Sequence, residues 1–433
     1  MQFHSTNKES EEVSFEEALV KGLAPDGGLY MPDKIPKVSK EEIENLRGKE
    51  YWEIAYFVLD KFLDIDNDKL KELCKNAYNY SIPIEDFEED LKIMRMDQGP
   101  TASFKDFAMR IMARLMDYFS NEELLILTAT SGDTGGACAD AFYGLDNIKV
   151  IILMPDKEIS DRQRKQMTTL GDNIFPVTIN GKFDDCQALV KKAFSDSSLD
   201  MNLTSANSIN VGRLIPQAAY YFYGYSKGAE NFIVPSGNWG NQTGGLIAKR
   251  MGLPIKKFVS SVNENDETCK FIMTGEYNKL EPSINCLSSA MNVGHPSNFS
   301  RVIELYGGQM DEKGNIIKEP DLEEMREDMI VRSVSDDETR DGIKGALEKG
   351  AILEPHGAVG YMAYKEVKDK LEGESLLLET AHPAKFPKIL REFGAEIEVP
   401  ETLKVLDEKE ESYKNMDPDY RKIREYIKEV SEK

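Results

Sequence analysis

The sequence predicts an α/β fold built on buried parallel sheets, behind a mainly helical N-terminal segment. Three observations carry this. From about residue 120 onward, short strands alternate with helices. Those strands are short and apolar, as in sheets covered on both faces. The first hundred residues instead carry helix-start signals and helical spacing of apolar residues. With 40% apolar and 30% charged residues over 433 positions, the chain can bury a large core and fills two or three domains by length.

Taken in order, Ser14 with Glu17 forms a capping box before a short helix that stops at Gly22, and Ser39 with Glu42 forms another. Residues 51–62 read as an apolar-rich helix. The acidic run from Asp64 to Asp68 lacks the central glycine and terminal glutamate of a calcium loop, so it reads as a helix cap. Strands are expected at 124–130, 149–154, 174–179, 232–235, 258–262 and 375–380. Helices are expected at 184–194 and 383–393. The last helix takes Asp417 as cap and Pro418 in its first turn, with Ile423, Ile427 and Val430 on one face. The expected division is an N-terminal segment over 1–95, α/β regions over 96–230 and 231–400, and a docking helix in 401–433.

Charge narrows the partners. A net charge of −23 opposes binding to nucleic acid or anionic membranes. Residues 1–12 are polar, and no apolar run is long enough to span a bilayer, so a cytoplasmic protein is expected. The five cysteines (Cys74, Cys138, Cys186, Cys269 and Cys286) show no metal-clip spacing and read as buried or idle thiols. No two histidines share a zinc-binding spacing, so no metal site is expected. His295, His356 and His382 read as scaffold residues.

Three segments carry candidate chemistry. In Gly99-Pro100-Thr101-Ala102-Ser103-Phe104-Lys105-Asp106-Phe107, Lys105 falls in the first turn of a helix. A cation there opposes the helix dipole, which favours the neutral, nucleophilic amine. A surface lysine followed by an acid satisfies the same local pattern. The strand at 232–234 leads into Pro235-Ser236-Gly237-Asn238-Trp239-Gly240-Asn241-Gln242-Thr243-Gly244-Gly245 and then a helix. Free N–H groups at such a helix start suit a small phosphate, although a tight turn also needs glycines. The strand at 124–130 runs into Ser131-Gly132-Asp133-Thr134-Gly135-Gly136, a second anion cradle or a turn capped by Asp133. Asn207-Ser208-Ile209-Asn210-Val211-Gly212-Arg213 adds an arginine at a helix start, able to clamp a phosphate or simply to face solvent.

In this order, these segments resemble the threonine synthase family, within the fold-type-II pyridoxal phosphate enzymes. Ser14-Phe15-Glu16-Glu17-Ala18, the run Gly22 to Tyr30, and Thr380-Ala381-His382-Pro383-Ala384-Lys385-Phe386 extend the likeness over nearly the whole chain. The resemblance implies two parallel-sheet α/β domains of the tryptophan synthase β-like kind. It implies a pyridoxal 5'-phosphate cofactor on Lys105 as a Schiff base, with Gly237, Asn238, Trp239, Gly240 and Asn241 around its phosphate and Thr380 at its ring nitrogen. Ser131, Asp133 and Thr134 are implied at the substrate carboxylate and the cofactor face, and Ser208, Asn210 and Arg213 at the substrate phosphate. The implied reaction makes threonine from O-phospho-L-homoserine and water. Elimination alone, giving a 2-oxo acid, and a non-catalytic cofactor-binding relative are the alternatives. Two departures stand out: Asn7 where the family often has arginine, and Trp239 where phenylalanine is expected.

Overall fold

A computed structural model describes residues 1–120 and 122–433. Two parallel sheets organise it. The larger runs Met329–Ser333, Lys257–Val262, Asn231–Pro235, Ser375–Glu379, Leu91–Arg95 and Ile84–Glu88, parallel except for the last strand. The smaller runs Lys414–Met416, Ile174–Ile179, Ile148–Pro155, Leu124–Ala129 and Leu203–Thr204, parallel throughout.

Both faces of each sheet are covered, which is why the central strands read as mostly apolar on both sides. On the smaller sheet, Ile126 and Val150 face one core, while Leu125, Leu127, Ile151 and Leu153 face another. That second core includes Ile423, Ile427 and Val430 of the C-terminal helix Tyr420–Ser431. Each such side chain contributes about 1.5–3 kcal/mol on burial. The first core spans the space between the sheets. It joins Ile111, Met112 and Leu115 of the helix Lys105–Phe119 to Ile126 on one sheet and Phe232 and Leu376 on the other.

Local signals survive well. Ser14 and Ser39 close their capping boxes, Gly22 ends the first helix at φ 71°, and Asp66 caps Asn67–Ala77. All five cysteines are buried thiols. Several expectations change. Asp417 does not cap the last helix; Asp419 does, accepting from the Arg421 N–H, while Asp417 accepts from Asn180 and Lys422. The helix expected over 383–393 is broken by Pro387 into a single 3-10 turn, Pro383–Lys385, and the short helix Pro387–Glu392, because proline excludes its predecessor from helical backbone. Asp133 does not cap the helix Asp133–Phe142; Gly132 holds the cap position. The N-terminal segment contains an antiparallel sheet of Gln2–Ser5, Val13–Ser14 and Tyr30–Pro32. Leu91–Arg95 lies inside the larger sheet, and Lys414–Met416 edges the smaller one. Among the described residues, no helix is long and apolar enough to cross a membrane.

Candidate active site

The lysine segment is zipped to the end of the strand Ser375–Glu379. Phe104 donates its N–H to the Thr380 carbonyl at 2.9 Å, and His382 donates to the Ala102 carbonyl at 3.0 Å. Ser103 and Ala381 form a β-bridge between them. This pairing holds Lys105, first residue of its helix, beside Thr380. Asp106 braces the turn, accepting from the Thr101 N–H at 2.9 Å and its hydroxyl at 2.6 Å.

Lys105 is not a surface lysine. Its side chain is 13% exposed, and its Nζ lies 3.6 Å from Asp133 Oδ2. Burial lowers the pKa of its ammonium. Asp133 opposes that shift, and the cations Lys385 and Arg213 add to it. The other Asp133 oxygen accepts from Lys385 Nζ and Gln163 Nε2, each at 2.9 Å. Burial alone would raise the Asp133 carboxyl, but Lys385 and then Lys105 outweigh it and hold it below the ordinary carboxylate range. The turn before Asp133 needs Gly132, at φ 139°, where a Cβ would lie 2.5 Å from Gln163 Nε2. Ser131 is exposed and Thr134 half-buried beside it.

The Gly237–Asn241 loop links the strand Asn231–Pro235 to the helix Gly240–Met251. A Cβ at Gly237 would sit 2.7 Å from the Ala290 carbonyl oxygen. Trp239 takes left-handed backbone, φ 60°, and its indole is buried against Phe299 with ring centres 5.1 Å apart. Its bulk is therefore absorbed by the core. The hydroxyls of Tyr220 and Tyr221 each lie 2.7 Å from Asn241 Oδ1. Asn241 Nδ2 is buried with no protein partner. Asn238 reaches Ser208 Oγ at 2.5 Å and accepts from the Ser297 N–H at 2.7 Å, tying this loop to the next.

In that next loop the expected roles separate. Asn210 is scaffold: its oxygen caps the Gly212 N–H at 2.8 Å, and its Nδ2 donates to the carbonyls of Leu19 at 2.8 Å and Ser205 at 3.0 Å. Both ends of that amide are engaged by the protein backbone. Ser208 is held by its carbonyl, which accepts from Asn298 and Arg301 at 3.2 Å each. Arg213 is buried, not solvent-facing. One nitrogen donates to the Ala206 carbonyl at 2.9 Å, and its Nε has no partner. Burial lowers it to about 10. A buried cation with an unused donor suits an anion.

Thr380 Oγ lies 3.4 Å from Glu354 Oε1. Glu354 caps the helix Pro355–Val367 and pairs with His356 Nδ1, while His356 Nε2 accepts from the Ala290 N–H at 3.0 Å. Glu379 lies next to Glu354, whose N–H it accepts at 2.9 Å; burial, then the Glu354 charge, raises its carboxyl well above the ordinary value. His382 caps the 3-10 turn, and His295 bonds Tyr277 at 2.7 Å. Asn7 donates to the Asp26 carbonyl at 3.0 Å and to Glu312 at 3.1 Å. Sequence reasoning missed Lys385, Gln163 and Glu354. Lys385 was visible as the one cation in its motif, but its Asp133 partner lies 252 positions away.

The residues present fit a phosphorylated aldehyde cofactor: a buried amine, a glycine cradle at a helix start, and the partnerless Asn241 Nδ2. Comparisons with known proteins agree. Residues 82–380 match the family model "Pyridoxal-phosphate dependent enzyme". Residues 2–78 and 357–427 match the models "Threonine synthase N terminus" and "Threonine synthase, C-terminal". The chain is 40% identical to the threonine synthase of Haemophilus influenzae over 441 residues, covering 99% of each chain. It is 37% identical to that of Escherichia coli K12, covering 93% of this chain and 94% of the other. The crystal structure of pyridoxal-phosphate-bound threonine synthase from Brucella melitensis superposes with a TM-score of 0.92 at 34% identity, covering 100% and 99% of the two chains. The yeast threonine synthase structure gives 0.91 at 30% identity, covering 99% and 98%. Fold and site therefore define a pyridoxal-phosphate-dependent enzyme of fold type II. Within that class, the chain belongs to the threonine synthase family.

Proposed function

We propose that this chain converts O-phospho-L-homoserine and water to L-threonine and phosphate, with pyridoxal 5'-phosphate held on Lys105. The observation that carries the reading is the buried Lys105 amine beside Asp133, in a chain similar to threonine synthases over its full length. When bound, the cofactor supplies an electron sink for carbanion character at the substrate α-carbon.

The protein supplies proton transfer and placement. Lys105, its proton loosened by burial, takes the α-proton and then moves protons at the β-carbon. Phosphate leaves the γ-carbon, and water adds at the β-carbon. Backbone N–H groups from Gly237 to Asn241 would hold the cofactor phosphate at the positive end of the helix Gly240–Met251. Thr380 would meet the ring nitrogen through its hydroxyl. Ser131 and Thr134 receive the substrate carboxylate. Asp133, already an anion between two lysines, would repel that group and acts on Lys105 instead. Ser208 and Arg213 receive the substrate phosphate, with Arg213 the one buried cation in that loop.

The decisive experiment incubates the purified enzyme with O-phospho-L-homoserine and assays phosphate and threonine together. Equal yields of both are expected. Phosphate with 2-oxobutyrate and no threonine would overturn the synthase reading in favour of elimination.

A further inference from the structure

We infer that Lys385 is a positioning residue: a second buried cation that keeps the Lys105 nitrogen ready to act as a base, through the Asp133 carboxylate the two amines share. The inference rests on the reading that Lys105 carries the cofactor.

The geometry is asymmetric. Lys385 ends the 3-10 turn Pro383–Lys385, and its N–H donates to the His382 carbonyl at 3.0 Å. Its side chain is 0% exposed, with Nζ 2.9 Å from Asp133 Oδ1. Lys105 lies 3.6 Å from the other oxygen. Gln163, whose own oxygen accepts from the Ser160 N–H at 3.2 Å, donates to the same Oδ1 as Lys385. One carboxylate therefore faces two buried amines, and Lys385 holds the closer contact.

Burying two ammonium groups against one carboxylate is costly, and such sites shed a charge by releasing a proton. The amine with the longer contact gives it up more readily. That amine is Lys105, the one whose chemistry requires a neutral nitrogen. The charged groups facing Lys105 are Asp133, Lys385, Arg213 and Glu354. Asp106, on the same helix as Lys105, is bonded to Thr101, and the Lys385 charge pulls its carboxyl down against burial.

The sign follows. A protonated Lys105 nitrogen, free or linked to the cofactor, is a cation repelled by Lys385. Removing the Lys385 charge removes that repulsion. It also leaves the Asp133 carboxylate, still bonded by Gln163, to act on Lys105 alone. Both changes favour the protonated nitrogen. A purely architectural Lys385, pinning the 380–386 segment to the 131–134 loop, would change stability but not this proton affinity.

The test is a pH titration of the visible absorbance of the cofactor-loaded enzyme. Lys385→Met should raise the midpoint by about one pH unit, a tenfold gain in proton affinity. Lys385→Arg should restore the wild-type midpoint, and Asp133→Asn should move it the opposite way. If the methionine variant does not fold, Lys385→Gln keeps a hydrogen-bond donor without the charge and carries the same expectation. A midpoint that stays or falls when the charge is removed overturns the inference. Wild-type enzyme with no cofactor band would instead overturn the assignment of Lys105, so the two failures are separable.

Discussion

The Phe104 N–H and the Thr380 carbonyl are bonded at 2.9 Å, so the residue before the lysine proposed to hold the cofactor hangs from the backbone of the residue proposed to meet the cofactor ring. The bond uses only the main chain of Thr380. Its hydroxyl takes no part in that pairing and donates to Glu354 Oε1 at 3.4 Å.

Thr380→Val therefore tests the hydroxyl without breaking the zipper. Losing a hydrogen bond to a charged or strongly polar ring is worth about 1.5–3 kcal/mol, or roughly tenfold to a hundredfold in kcat. Thr380→Ser should stay within a few-fold of wild type. Steady-state kinetics with the absorption spectrum of the bound cofactor provide the check. A valine variant with unchanged kcat and spectrum would remove Thr380 from the ring site.

Gly237 tests the phosphate cradle. An added Cβ meets backbone, the Ala290 oxygen at 2.7 Å and Met291 Cα at 2.9 Å, and neither can swing away as a side chain tip can. Forced overpacking costs about 1–3 kcal/mol. Gly237→Ala should weaken cofactor affinity about tenfold to a hundredfold. Absorbance titration of cofactor-free enzyme with pyridoxal phosphate measures it, and unaltered affinity would mean the loop is not the cradle.

Much of this was legible because the signals were local. The capping boxes at Ser14 and Ser39 are four-residue patterns and formed as read. The strand Ile174–Ile179 is a largely apolar run between polar turns, and its edges matched. What escaped was decided at long range. Leu91–Arg95 enters the larger sheet only by pairing with Ser375–Glu379, and Lys92 and Arg95 mask its apolar face. Asp133 looked like a cap because its local pattern is one; Lys385, far along the chain, claims its carboxylate. Pro387 was visible, and its break of the expected helix is a local rule that the apolar spacing around it overrode.

Asn210 distinguishes scaffold from substrate contact. Its amide makes three buried hydrogen bonds, to Gly212, Leu19 and Ser205. Removing a cap and leaving buried partners unpaired costs about 2–4 kcal/mol. Asn210→Ala should show that loss in urea unfolding, while KM for O-phospho-L-homoserine changes less than about threefold. A large KM change at unaltered stability would return Asn210 to the phosphate site.

Asp106 ties stability to pH. Its carboxyl is fully buried, and burial raises it to about 6 from an ordinary 3.8, against the Thr101 hydrogen bonds that pull it down. Unfolded chains titrate this group near the ordinary value. Between those two pH values the folded protein therefore binds the extra proton, and stability falls as pH rises. The slope reaches at most about 1.4 kcal/mol per pH unit and flattens above the folded value. Asp106→Asn has no such proton to lose. Gly99, where a Cβ would fall 2.3 Å from Asp106 Oδ2, already leaves room for a side chain of that size. Urea unfolding of both proteins at several pH values between about 4 and 7 gives the comparison. Wild type should lose stability relative to the variant as pH rises to about 6, then hold a constant gap. A difference that does not change with pH over that window would mean Asp106 titrates alike in both states, and that the Thr101 bonds cancel the cost of burying it.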